Sequence, residues 1–201
     1  MDPKLAAALA REDPTVVFYG TSLTKSGGWA EVLIEALKPG RPGLTGINAA
    51  ADGQHSRWGV ENFDPRVLHA KPTILFLEFA VNDALARFEI SVEESRRNLE
   101  TMISRFEATG DGAVVLQVMN PVLDRPAGHT GHRPHLAHYE KMYRSVARER
   151  KVSLVDHAPH WERVLQRSEA EFRVAVPDGL HPSLVGYTKY MLPTLYSALG
   201  L

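Results

Sequence analysis

The stretch Thr15-Val16-Val17-Phe18-Tyr19-Gly20-Thr21-Ser22-Leu23-Thr24 joins a short apolar run to a turn of small polar residues. The run is continuously apolar rather than alternating, which is typical of a strand buried on both faces of a parallel sheet. Runs of similar length and composition recur along the chain, at residues 15–20, 44–49, 73–79, 113–119 and 152–156. The pattern therefore predicts a five-stranded parallel sheet, with Ser22 directly beyond the end of its first strand.

Helical patterns lie between these runs. The clearest begins at Ser91, where Ser-Val-Glu-Glu is typical of a capping box with Glu94, and it ends at Gly110. Further helices are predicted from near Pro134 and over residues 183–199. Alternation of strands and helices in this manner predicts an α/β fold of three layers, an α/β/α sandwich.

Length and composition agree with one domain spanning residues 1–201. Hydrophobic residues make up 44% of the chain and charged residues 23%, so we expect neither disorder nor a fibrous architecture. The formal net charge of -1 gives no basic surface for nucleic acid, and no apolar run is long enough to span a membrane. The absence of cysteine excludes disulfides and thiol catalysis.

The first ten residues are mildly apolar and are followed by Arg11-Glu12-Asp13. They lack the charged start and the long apolar centre of a signal peptide. We therefore expect a cytoplasmic protein, or a secreted one if a leader has been removed.

Two distant blocks carry the groups that serine chemistry requires. Ser22 lies in the turn after the first strand, and Asp178-Gly179-Leu180-His181 places a carboxylate three residues before an imidazole. An aliphatic hydroxyl is a poor nucleophile at neutral pH unless a base takes its proton and a third group orients that base. The two blocks together predict acyl transfer at Ser22.

Two further blocks supply hydrogen-bond donors at the same kind of place. Gly53 follows the run 44–49, and Asn82 follows the run 73–79. A glycine amide and an asparagine side-chain amide are both able to face a developing oxyanion.

In this order the four blocks resemble the SGNH hydrolases, also called the GDSL esterase/lipase superfamily, and the resemblance covers Gly20–Ser183. The resemblance assigns a catalytic triad, in which Ser22 is the nucleophile, His181 is the general base and Asp178 orients the base. It also assigns an oxyanion hole, whose donors are the backbone N–H groups of Ser22 and Gly53 and the side chain of Asn82. Together with the right-handed crossover rule, it implies a flavodoxin-like strand order.

The chain departs from the family pattern at two positions. The usual Gly-Asp-Ser-Leu reads Gly-Thr-Ser-Leu here, with Thr21 in place of the acid. The usual Gly-x-Asn-Asp reads Ala-Val-Asn-Asp, so Ala80 brings a methyl group that could narrow the site. Neither change removes a catalytic group.

Three other acidic residues, Asp83, Asp156 and Glu78, are considered for a catalytic role. Asp83 follows Asn82 and is interpreted as a carboxylate that accepts hydrogen bonds from loop N–H groups. Asp156 ends the fifth run, where caps and turns favour aspartate. Glu78 lies inside an apolar run and must have partners, so we expect a structural hydrogen bond there rather than a catalytic role.

Four histidines, at positions 129, 132, 135 and 138, follow the fourth run at a spacing of three residues. Imidazoles bind zinc and similar ions, but Pro134 prevents a single helix from carrying the whole set. We therefore expect a loop at the substrate end of the sheet, with His129, His132, His135 or His138 open as substrate contacts, and no metal centre.

Two tryptophans, Trp29 and Trp161, are expected in the core or at its edge, whereas Arg57 and Trp58 either line the pocket or begin a helix.

The family resemblance, together with the absence of a long apolar lid segment from the sequence, implies hydrolysis of a short acyl ester, with an O-acetyl group on a carbohydrate as the leading substrate. We expect no cofactor, no nucleic acid and no membrane as partners. Two alternatives stay open: a lysophospholipase or acyl thioesterase, and a non-catalytic carbohydrate-binding module on the same scaffold. The oligomeric state is left open.

Overall fold

A sheet of five parallel strands forms the centre of the computed structural model, which describes residues 2–201. The strands are β1 (Thr15–Gly20), β2 (Thr45–Asn48), β3 (Ile74–Glu78), β4 (Ala113–Val118) and β5 (Ser153–Asp156). Their order in the sheet is β2-β1-β3-β4-β5, and all four neighbouring pairs are parallel. The predicted flavodoxin-like order is confirmed, and every strand lies within its predicted run.

Helices cover both faces of this sheet. The α-helices are α1 (Pro3–Leu9), α2 (Ser22–Lys25), α3 (Trp29–Leu37), α4 (Ser56–Glu61), α5 (Phe63–Arg66), α6 (Ala80–Asp83), α7 (Val92–Glu107), α8 (Leu136–Arg150), α9 (Ala158–Arg167), α10 (Glu169–Ala175), α11 (Leu184–Gly186) and α12 (Leu192–Leu199). Two 3₁₀ turns, Leu68–Ala70 and Ala86–Phe88, and a π-helical turn, Tyr187–Met191, complete the secondary structure. Within residues 2–201, no helix has both the length and the apolarity that crossing a lipid bilayer would require.

Alternate residues of each strand enter two separate cores. In β1, Val16 and Phe18 pack with α1, α3 and α12, whereas Val17 and Tyr19 pack with α5, α7 and α8. Because both faces of the sheet are buried, the strands need apolar residues at nearly every position. The three-layer α/β/α sandwich predicted from the continuous apolar runs is confirmed.

A third, smaller cluster joins α9 and α10 to the π-helical turn near the end of the chain. Its buried members are Trp161, Val164, Phe172, Ala175, Val176 and Tyr190. The turn that holds Asp178 and His181 follows directly from this cluster, since it lies between α10 and α11.

Two predicted helices form with differences in detail. The α7 helix begins after Ser91, whose hydroxyl accepts the Glu94 backbone N–H at 3.1 Å. The Glu94 carboxylate does not complete the capping box but pairs with Arg57, with its nearest oxygen 2.7 Å from Nε. The helix predicted over residues 183–199 is interrupted by the π-helical turn, so it forms as three consecutive segments.

Glu78 links β3 to the turn that follows β1. Its Oε1 accepts the Thr21 backbone N–H at 2.6 Å, the Thr21 hydroxyl at 3.0 Å and the Thr24 hydroxyl at 2.7 Å. Gly20 pairs with Glu78 across the two strands, and a Cβ at position 20 would collide with the Glu78 carbonyl and carboxylate. The expectation of a structural hydrogen bond at Glu78 is confirmed.

Burial raises the pKa of Glu78 to about 7, although the hydrogen bonds from Thr24 and Thr21 oppose this shift. Below the ordinary pKa of 4.5 the carboxyl is neutral in both the folded and unfolded states, so it costs no stability. Between that value and about 7 only the unfolded state ionises, and the free energy of unfolding falls as the pH rises. Above about pH 7 the folded state ionises as well, so the free energy of unfolding falls no further on account of Glu78.

We therefore predict that wild type loses stability relative to Glu78→Gln as the pH rises. Glutamine keeps an oxygen acceptor for the threonine donors but carries no charge. The free energy of unfolding of Glu78→Gln minus that of wild type should rise by about 3 kcal/mol from a pH below 4.5 to a pH above about 7. Urea unfolding at the two pH values measures it. Glu12→Gln, at an exposed surface position, is the control and should show no such trend. A pH-independent difference for Glu78→Gln would contradict the raised pKa.

Candidate active site

Ser22 is the first residue of α2 and is half-buried at the carboxyl edge of the sheet. Thr21 caps this helix, with its hydroxyl accepting the Leu23 N–H at 3.2 Å. Because Ser22 lies in the first helical turn, its own N–H has no partner within the helix. Trp29 is buried, as predicted, and donates its indole N–H to the Leu23 carbonyl at 2.8 Å, so it helps to hold the turn that carries Ser22.

The structure brings Ser22, His181 and Asp178 into one hydrogen-bonded line. Ser22 Oγ lies 2.9 Å from His181 Nε2, and His181 Nδ1 lies 2.6 Å from Asp178 Oδ2. A carboxylate oxygen only accepts hydrogen bonds, so Nδ1 carries the proton and Nε2 is free to accept from the serine hydroxyl. The arrangement is the one that a serine nucleophile and its base require.

The turn itself fixes Asp178 and His181 relative to each other. Asp178 Oδ1 accepts the backbone N–H groups of Leu180 at 2.8 Å and of His181 at 2.7 Å. Partial burial alone would raise the pKa of Asp178, but the hydrogen bonds from the His181 ring and from these backbone groups outweigh it and lower the pKa. The carboxylate therefore stays ionised and accepts the hydrogen bond from His181 Nδ1.

Gly53 lies in the loop between β2 and α4. Its φ is +69°, and an added Cβ would meet no atom within 4 Å, so the backbone conformation and not the available space demands glycine here. Ala51 N–H donates to the Gly20 carbonyl at 3.1 Å, which ties this loop to the end of β1. Within residues 2–201, the Gly53 N–H forms no hydrogen bond.

Asn82 lies in α6, directly after β3, and is buried with 5% of its surface exposed. Its Nδ2 donates to the Gln54 carbonyl at 2.8 Å, so Asn82 is joined to the loop that carries Gly53. Ala80 begins α6, and its methyl group packs in the core formed with α7 and α8. The alanine at this position is thus accommodated in the core.

The segment between β4 and α8, residues 119–135, contacts both halves of the site. We call it the connecting segment. It approaches the turn of Asp178 and His181 on one side and Asn82 on the other. The contacts are Asn120 Nδ2 to Leu180 O (3.0 Å), Leu123 N to Gly179 O (2.8 Å), Arg125 Nη2 to Asp178 O (3.1 Å) and Arg133 Nη2 to Asn82 Oδ1 (3.4 Å).

The two other acids considered from the sequence have structural partners. Asp83 accepts the Ser56 N–H at 2.7 Å and the Ser95 hydroxyl at 2.5 Å, and burial raises its pKa to about 6 against these hydrogen bonds. Asp156 forms an ion pair with Arg144, with Oδ2 2.7 Å from Nε. The interpretation of both residues as structural carboxylates agrees with these contacts.

Three of the four histidines, His129, His132 and His135, lie in the connecting segment, and His138 lies in the first turn of α8. His129 Nδ1 accepts the Gly131 N–H at 2.9 Å, and His132 Nδ1 lies 2.5 Å from the Arg125 carbonyl. His135 and His138 stack with a centroid separation of 5.6 Å. Among residues 2–201, no three potential metal-binding side chains gather into a group that could hold an ion. Their contact with substrate stays a prediction.

The remaining aromatic and basic candidates have structural positions. Arg57 and Trp58 lie in α4, where Arg57 pairs with Glu94 and Trp58 packs against the core. Trp161 is buried in the small third cluster. Arg133 was not a candidate from the sequence, because nothing in its neighbourhood distinguishes it from the other arginines of this basic, histidine-rich segment.

Solved structures with the same fold include two enzymes of low sequence identity. Axe2, an acetylxylan esterase from Geobacillus stearothermophilus, is 16% identical, with a TM-score of 0.77 and coverage of 94% of each chain. LAE5, an α/β hydrolase from the metagenome of Lake Arreo in Spain, is 20% identical, with a TM-score of 0.78 and coverage of 96% of this chain and 98% of its own. No curated protein matches the chain significantly in sequence.

The sequence itself decides the family. Residues 11–189 match the GDSL-like Lipase/Acylhydrolase family, which is most of the chain and includes all four blocks of the site. The predicted family is confirmed: this chain belongs to the GDSL-like lipase/acylhydrolase family of ester-hydrolysing enzymes.

Proposed function

We propose that the protein is a serine esterase that hydrolyses short-chain carboxylic esters through an acyl-enzyme. The observation that carries this proposal is the line from Ser22 Oγ through the His181 ring to Asp178, with distances of 2.9 and 2.6 Å. A binding module has no use for an oriented, hydrogen-bonded nucleophile.

In the first half-reaction, Ser22 Oγ attacks the carbonyl carbon of the ester while His181 Nε2 takes the hydroxyl proton. Collapse of the tetrahedral intermediate breaks the bond to the alcohol, which leaves with the proton from His181. In the second half-reaction, water attacks the acyl-enzyme with His181 again acting as base, and the acid is released. Asp178 stays ionised throughout and stabilises the imidazolium. This scheme requires no cofactor.

The charge that develops on the carbonyl oxygen needs donors that are already in place. We assign this role to the N–H groups of Ser22 and Gly53 and to the Asn82 amide. The Ser22 N–H lies in a first helical turn, and the Gly53 N–H has no partner within residues 2–201. Asn82 Nδ2 donates one hydrogen to Gln54, and the amide has a second hydrogen available.

For the substrate, we propose an O-acetyl group on a carbohydrate. The side chains of His181 and Asp178 are 40% and 53% exposed, so this side of the site is open to solvent, which favours a small acyl group. Axe2, which shares the fold, is an acetylxylan esterase, and its catalytic mutants replace a serine, an aspartate and a histidine. A small acyl group on a polar, extended alcohol suits such an open site.

Ser22→Ala should abolish turnover without disturbing the fold. We expect kcat for p-nitrophenyl acetate to fall by at least about 10³-fold, because the nucleophile is lost, while the melting temperature stays nearly unchanged. Ser26→Ala, in the same turn, is the matched control and should remain active. Fluorophosphonate should label wild type at Ser22 and leave Ser22→Ala unlabelled. Retention of more than a few per cent of activity by a stable Ser22→Ala variant would place the nucleophile elsewhere.

Asn82→Ala should lower kcat by about 10²–10³-fold with little change in KM, because the donor acts on charge that develops only in the transition state. Asn82→Asp keeps an oxygen toward Arg133 but loses both N–H groups, so we expect it to be at least as damaging. Kinetics and melting temperatures of both variants test this. If Asn82 only caps its loop, Asn82→Ala would destabilise the fold by about 1 kcal/mol and leave kcat within about fivefold of wild type.

A series of p-nitrophenyl esters tests the acyl preference. We expect kcat/KM to be highest for acetate and to fall as the chain lengthens, since a longer chain bound at a site open to solvent would keep much of its apolar surface in contact with water. Release of acetate from acetylated xylo-oligosaccharides would support the carbohydrate substrate. A maximum at about eight carbons or longer would instead favour the lysophospholipase or thioesterase alternative.

A further inference from the structure

Arg133 is a buried cation at the end of the connecting segment, with 7% of its surface exposed. Its guanidinium donates to three oxygens: Val81 O from Nε at 2.7 Å, Gly131 O from Nη1 at 2.9 Å and Asn82 Oδ1 from Nη2 at 3.4 Å. Within residues 2–201, no carboxylate lies within 4 Å of this guanidinium. The nearby Asp124 instead accepts the Arg133 backbone N–H at 2.6 Å.

The neighbours of the Asn82 amide determine which way it points. A guanidinium carries only donors, and a backbone carbonyl only accepts. With Oδ1 toward Arg133 and Nδ2 toward Gln54, both contacts are favourable. Rotation of the amide by half a turn would set N–H groups against the guanidinium and an oxygen against the Gln54 carbonyl, so both contacts would become repulsive.

We propose that Arg133 is a positioning residue for the oxyanion hole, which holds the Asn82 amide so that its second N–H faces the reacting carbonyl oxygen. This inference rests on the role proposed above for Asn82. The bond to the Val81 carbonyl anchors the backbone of α6 as well, so one guanidinium fixes both the helix and the side chain that it carries. The planar, forked geometry of arginine suits two acceptors in this way, whereas an ammonium group would serve them poorly.

Arg133→Met tests the proposal, because methionine fills much of the same volume without any donor. We expect kcat for p-nitrophenyl acetate to fall by about 10- to 100-fold with KM nearly unchanged, the effect of a displaced transition-state contact. Arg133→Lys, which keeps the charge, should also lower kcat. It provides a second variant if methionine prevents folding. Active sites are counted by fluorophosphonate titration, so that kcat refers to folded enzyme.

A double-mutant cycle separates positioning from a merely structural role. If Arg133 acts through Asn82, Arg133→Met should change kcat by less than about threefold in the Asn82→Ala background. Arg87→Met is the matched control, since Arg87 is an exposed guanidinium that acts on Arg133 through charge alone. It should leave kcat within about twofold of wild type.

Three outcomes would overturn the proposal: additive effects in the cycle, a change confined to KM, or an equal loss of kcat in Arg87→Met. Failure of the proposed function gives a different result. If Asn82→Ala alone leaves kcat unchanged, the assignment of Asn82 to the oxyanion hole is wrong, whatever Arg133 does.

Discussion

The buried carboxyl group of Glu78 is the interaction on which the geometry of the site depends. It gathers three donors from the turn after β1, and so it fixes that turn to the neighbouring strand β3. This also gives a physical reason for Thr21 at a position where the family usually has aspartate. An acid at position 21 would set a second carboxyl group against Glu78 in a buried place, and like charges there would destabilise each other. A threonine supplies a donor instead.

The rest of the site is assembled by loops that meet at the carboxyl edge of the sheet. Ser22 and Asn82 follow the adjacent strands β1 and β3, which places them on neighbouring supports. The turn of Asp178 and His181 comes from the far end of the chain and rests on its own small cluster. The connecting segment forms hydrogen bonds to both parts, to the turn of Asp178 and His181 and to Asn82.

The sequence predicted the sheet, and it pointed to the side chains of Ser22, His181 and Asp178 that the structure brings together, because both leave local signals. Strands buried on two faces must be apolar throughout, and Asp178 lies three residues from His181 in one turn. Partners distant in sequence left no such signal. Nothing near Arg133 shows that it reaches Asn82, 51 residues away, or that Glu78 would meet the hydroxyl of Thr24. The Glu94 carboxylate, expected in a capping box, pairs with Arg57 because tertiary packing offers a charged partner.

The turn of Asp178 and His181 has a mechanical consequence. The Asp178 carboxylate accepts the backbone N–H groups of Leu180 and His181 and contacts the His181 ring as well, so the two side chains are held together as one unit. Any deformation that tilts α10 or α11 changes the aim of this unit. The distance between His181 Nε2 and Ser22 Oγ therefore depends on where this unit lies relative to the turn after β1. Alignment of Ser22, His181 and Asp178 therefore depends on the placement of one four-residue turn, residues 178–181.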